Sequence, residues 1–175
     1  MEKLSAQLNK VTMGSSKYFD AGIISVGTNN IMDKNYDMWG FMEELRNILI
    51  KFKSTVETKH VIVIGFMPRA YCAIQNCPAN CRYIHKENRN NCNKPTPADF
   101  YRRVVKLNRA AYEMIKHDDR FEQFKFLNIF SKIILKGSWD NCYGGFLSPD
   151  GLHLSSRGNK LLDECLYDHL SNMIW

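Results

Sequence analysis

A carboxylate stands three residues ahead of an imidazole in the stretch Ser148-Pro149-Asp150-Gly151-Leu152-His153-Leu154-Ser155-Ser156. On a turn broken by Pro149 and Gly151, Asp150 can hold one ring nitrogen of His153 while the other faces a cleft. That is how a general base is oriented in serine-dependent acyl transfer. A histidine satisfied by hydrogen bonds in the turn before a helix would read the same way. A second stretch, Ile23-Ile24-Ser25-Val26-Gly27-Thr28-Asn29-Asn30, is an apolar run that ends in a glycine and an amide. A strand stopping in Gly-x-Asn can aim the Asn29 side-chain N–H at a developing oxyanion; the same amide can instead close an Asx turn. The third constellation is Cys72, Cys77, Cys81 and His85, with Cys92 further on. Three thiols and an imidazole this close can hold zinc, although the Cys-x-x-Cys of common zinc modules is lacking. Free thiols, or disulfides in a secreted chain, are the other readings.

Apolar periodicity supplies the elements that must position these groups. Leu4, Leu8 and Val11 form one stripe and predict a short helix over 2–12. Residues 18–26 read as a strand. Met38, Phe41, Met42, Leu45, Ile48, Leu49 and Phe52 recur every three or four residues and predict a core-facing helix, with Asp33 or Asp37 available to cap it. The β-branched run His60–Phe66 predicts a strand buried on both faces of a parallel sheet. Residues 69–95 have little periodicity and read as a long Cys-rich insertion. Thr96-Pro97-Ala98-Asp99 opens a helix with a capping hydroxyl, a proline at the first helical position and an acid near the positive end of the dipole. Its stripe is Phe100, Val104, Leu107, Ala111, Met114 and Ile115. Phe124–Phe130 reads as a third strand, and Leu161 to Met173 as a closing helix capped by Ser155 or Ser156. Strands alternating with helices give an α/β class with a parallel sheet.

The order of the two motifs, about 120 residues apart, resembles the SGNH (GDSL-type) hydrolase family over roughly residues 17 to 170. Gly27-Thr28-Asn29-Asn30 looks like that family's third block, with Asn30 where the family usually has Asp, and Asp150-x-x-His153 looks like its fifth. The resemblance implies a flavodoxin-like three-layer sandwich with sheet order 2-1-3-4-5 and a site where that order reverses. It implies ester hydrolysis by a Ser-His-Asp mechanism: His153 as base, Asp150 as its orienter, and Asn29 with Gly27 in the oxyanion block. The family's first block, Gly-Asp-Ser, has no counterpart. Met13-Gly14-Ser15-Ser16 is the nearest match, and the strand begins within ten residues of it. The nucleophile is therefore unassigned, the family's first two strands are absent from the pattern, and weak or no activity is expected of this chain alone. The strand at Ile23 becomes an exposed edge: either these 175 residues are an N-terminally truncated piece of a longer hydrolase whose serine lies on a segment absent from them, the preferred expectation, or the edge is covered by the chain's own N-terminus, a second copy or a partner.

The 175 residues read as a single domain with the insertion at about 69–95. A net charge of +6 and a pI near 9.0 allow an acidic partner. The alternative to a hydrolase of small esters is thus a non-catalytic module of the same fold. It would bind RNA or a protein through a basic face comprising Arg69, Arg82, Lys86, Arg89, Arg102, Arg103, Lys106 and Arg109, with zinc as a possible staple of the insertion. The first ten residues hold no apolar segment of a secretory signal, and no window approaches 18 continuous apolar residues. A cytoplasmic chain without a membrane span, its cysteines mostly thiols, is the expectation.

Overall fold

The computed structural model describes residues 18–25, 31, 36–67, 97–136, 145–148 and 153–174. The expected helix over 2–12 and the insertion at 69–95 lie outside them. In chain order the elements are β1 (Tyr18–Ser25), α1 (Met38–Thr55), β2 (Glu57–Ile64), α2 (Pro97–His117), a 3₁₀ turn over Asp119–Phe121, β3 (Phe124–Leu127), α3 (Ile129–Lys136) and α4 (Ser156–Ile174).

The three strands make a parallel sheet in the order β1-β2-β3, with Ile24 opposite Val63 and Val63 opposite Phe126. Because successive side chains on a strand point to opposite faces, the central strand must be apolar throughout its covered part. Val61, Ile62, Val63 and Ile64 are accordingly all buried. Val61 and Val63, with Ile24 and Phe124, join one core under α1 and α2. Ile62 and Ile64, with Leu127, join the other under α3 and α4. The result is the helix-sheet-helix layering of an α/β sandwich.

α1 begins at Asp37, whose carboxylate accepts from the amides of Trp39 (3.1 Å) and Gly40 (2.9 Å). This satisfies two donors that a helix start leaves unpaired. Phe41, Leu45, Ile48 and Leu49 are its buried stripe. α2 starts at Pro97 as the sequence predicts, and Phe100, Val104, Leu107, Ala111 and Ile115 are buried along it.

Two boundaries differ from expectation. β2 begins at Glu57 rather than His60, because parallel pairing with Tyr18 and Phe19 extends the strand below its buried part. The predicted strand 124–130 stops at Leu127. Asn128 turns the chain into α3, its side chain accepting from the Ser131 amide (3.2 Å) and its carbonyl from the Ser131 hydroxyl (2.8 Å). A short apolar run cannot by itself distinguish a buried strand from the start of a buried helix. β1 is an edge strand among the described residues, with Tyr18, Phe19 and Ile23 from 41% to 58% exposed.

Candidate active site

His153 sits on a segment held at both ends by backbone. Leu147 and Leu154 form an antiparallel bridge. The Ser148 amide (2.8 Å) and hydroxyl (3.1 Å) both donate to the His153 carbonyl, and the Ser155 amide donates to the Phe146 carbonyl (3.0 Å). Ser155 is the cap of α4: its hydroxyl accepts from the Gly158 amide (3.1 Å) and donates to the Gly145 carbonyl (2.5 Å). Gly145 enters this segment with φ of 79°, a left-handed conformation that glycine adopts at little cost. At Gly158 a Cβ would come within 2.1 Å of the Phe146 carbonyl oxygen. Only glycine lets the first turn of α4 lie this close to the segment. The Arg157 guanidinium covers the Phe146 ring at 4.5 Å.

These contacts fix the backbone of His153 while its imidazole is exposed. Leu154, the next residue, packs on the cluster that includes Ile64 and Leu127, the last residues of β2 and β3. Leu154 thus anchors the segment to the core on the α3 and α4 side of the sheet.

Between β1 and α1, Ile31 is held by a residue assigned above to a basic surface. Ile31 is fully buried, and its carbonyl accepts from Arg103 Nη1 at 2.9 Å. The Arg103 guanidinium also lies 5.0 Å from the centre of the Tyr36 ring. Burial pushes the Tyr36 phenol up to about 12, against the opposing pull of Arg103. The Tyr36 hydroxyl is buried and has no partner among the described residues. The Tyr36, Phe41 and Phe66 rings follow one another at 6.2 and 5.2 Å, which ties Tyr36 and the start of α1 to the residues just past β2. There Asn108 of α2 holds the Phe66 amide (2.8 Å) and carbonyl (3.1 Å) through both atoms of its own amide.

Arg103 and Asn108 are functional supports that helical periodicity did not single out. The available signal was their position beside the buried stripe of Phe100, Val104, Leu107 and Ala111, where a polar residue needs a partner. Arg102 is engaged with Asp99 at 3.1 Å, so two of the four α2 cations on the expected basic face already have partners within the fold.

Of the residues assigned from sequence, the structure places His153. Gly27, Asn29 and Asp150 lie outside the described residues, as do Cys72, Cys77, Cys81 and His85. Among the described residues no group of three His, Cys, Asp or Glu side chains could hold a metal ion, and Cys165 of α4 is buried in the core on that side of the sheet. No described helix is long and apolar enough to cross a membrane.

The family described as GDSL-like Lipase/Acylhydrolase matches residues 1–166. The fold is similar to a solved structure provisionally described as a platelet activating factor from Streptococcus pneumonia, with a TM-score of 0.60 and 13% identity. That similarity covers 97% of this chain and 92% of the other; at such identity it speaks for the fold alone. No curated protein sequence matches the chain.

Proposed function

The chain belongs to the GDSL-like lipase/acylhydrolase family, and from that premise we propose that it is an acyl-ester hydrolase domain with His153 as its general base. The observation that carries this is the mounting of His153. An exposed imidazole is carried on a bridged segment whose backbone is held in place, immediately before a capped helix. In the proposed reaction His153 takes the proton of a serine hydroxyl as that oxygen attacks the ester carbonyl. It then returns the proton to the departing alcohol, and repeats the exchange with water to release the acid. Asp150 keeps the ring in the productive tautomer. Asn29, supported by Gly27 in its turn, donates to the carbonyl oxygen as it becomes an oxyanion. The serine itself is assigned to no residue.

The test is hydrolysis of a short p-nitrophenyl ester by the purified chain beside His153→Ala. The expected outcome is weak turnover above buffer that falls to the buffer rate in the variant, with circular dichroism unchanged because the segment is held by backbone. Fluorophosphonate labelling followed by peptide mapping then identifies the nucleophile, with Ser15 and Ser16 the first peptides to inspect. Turnover equal to buffer, with no labelled serine, would overturn the hydrolase reading.

A further inference from the structure

A concavity of which His153 is not a wall opens between α2, β3 and α3. Its volume is about 620 Å³, within the range of about 300–1,000 Å³ usual for small-molecule sites. Tyr101, Val105, Asn108 and Tyr112 recur at four- and three-residue intervals and form one stripe of α2 facing it; Phe126 of β3 and Phe130 of α3 face them. Two ring pairs bracket it, Tyr101 with Phe130 at 5.4 Å and Tyr112 with Phe126 at 6.5 Å. Val105 and Tyr112 remain 40% and 43% exposed, so apolar surface is left open to a ligand.

The polar groups in its wall are mostly engaged. The Asn108 amide is taken up at both atoms by Phe66, and the Asn128 side-chain oxygen and Ser131 hydroxyl close the start of α3. Arg109, the charged residue of the lining, is not engaged. It lines the concavity one turn from both Val105 and Tyr112, it is exposed, and it has no hydrogen bond or ion pair among the described residues. Glu113, four residues further along α2, pairs with His117 at 3.1 Å instead.

An aromatic channel with one unpaired guanidinium beside it is complementary to a molecule with an apolar tail and one anionic head. A carboxylate matches the guanidinium fork in two parallel hydrogen bonds. We propose that this groove binds a medium-chain fatty carboxylate, its tail along Tyr101, Val105, Tyr112, Phe126 and Phe130 and its head on Arg109. The site does not depend on the proposed hydrolysis.

Calorimetric titration of the full chain with decanoate, octanoate and decanol tests this. Decanoate binds at one saturable site, and octanoate binds about tenfold more weakly because two buried methylenes are lost. Val105→Trp, which fills the groove from a partly exposed position, weakens decanoate at least tenfold; Tyr112→Ala, which removes a wall without adding bulk, weakens it as well. Arg109→Gln weakens decanoate about tenfold while leaving decanol unchanged. His153→Ala leaves decanoate binding intact, which separates this site from the proposed catalytic one. Absence of saturable binding would overturn the proposal, as would indifference to both groove variants, an equal effect of Arg109→Gln on acid and alcohol, or loss of decanoate binding in His153→Ala.

Discussion

Tyr36 shows how one side chain can carry two opposed requirements near a site. Its ring is a platform for Arg103, which in turn holds the Ile31 carbonyl two residues past Asn29. Its hydroxyl is buried with no partner among the described residues. Because burial lifts the phenol to about 12, against about 10 in an unfolded chain, the folded protein holds this proton more tightly. Stability from this group is therefore complete below about pH 10 and falls as pH rises toward about 12. Tyr36→Phe keeps the ring and removes the titration. Denaturant unfolding at pH 9 to 12 is expected to show a shallower alkaline loss in the variant. At pH 7 the variant should be no less stable than the parent, since an unpaired buried hydroxyl costs about 1 kcal/mol or more. Arg103 acts at the same scale by position: its guanidinium serves a carbonyl and a ring, a pairing that the point charge of a lysine would not reproduce.

Two elements depend on single residues for their docking. Asn108 is the only buried polar or charged side chain among the described residues, and it joins α2 to the end of β2 by two hydrogen bonds. Asn108→Ala leaves the Phe66 amide and carbonyl unpaired beside the core, and urea denaturation is expected to show a loss of about 3 kcal/mol. α4 docks through Gly158 and is capped by Ser155. Ser155→Ala removes the cap and is expected to lower stability by about 1 kcal/mol. Gly158→Ala must push the helix off Phe146, with an expected loss of about 2 kcal/mol or more. If His153 is the base, Gly158→Ala should also reduce ester hydrolysis more than Ser155→Ala does, because it moves the segment that carries the imidazole. Thermal melts and the p-nitrophenyl assay on the same two variants read both effects.

For the molecule as a whole, the asymmetry of the sheet matters most. β2 is enclosed on both faces. β1 leaves Phe19 and Ile23 exposed on the face that carries Ile62 and Ile64, and its outer edge is unpaired among the described residues. Unpaired strand edges with apolar side chains are templates for another chain. The double variant Phe19→Lys and Ile23→Lys is expected to reduce self-association in light scattering, with unfolding stability changed by no more than about 1 kcal/mol because both positions are already about half exposed. Unchanged scattering, or a parent chain that is itself monomeric, would exclude this edge as a surface of self-association.

The amphipathic and β-branched patterns of the chain by themselves determined the parallel α/β layering and, with the Thr-Pro signal, the Pro97 start of α2; they offered Asp33 or Asp37 for the cap of α1 and Ser155 or Ser156 for that of α4, and the fold uses Asp37 and Ser155. Each follows from periodicities and end signals local to one segment. The two motifs likewise pointed to the family, because Gly27-x-Asn29 and Asp150-x-x-His153 are short stretches of sequence with their own chemistry. Only the tertiary structure decided the rest. It ended β3 at Leu127, where Asn128 has the Ser131 amide to accept from. It turned Arg103 from a surface cation into the support of Ile31, and made Asn108 the clasp of Phe66, 42 residues away in sequence. It also required glycine at position 158, and gathered five apolar side chains from three elements around Arg109. These are pairings between residues distant in the chain. A sequence pattern shows that a polar group near a buried stripe needs a partner, but which partner it meets is set by the packing of whole elements.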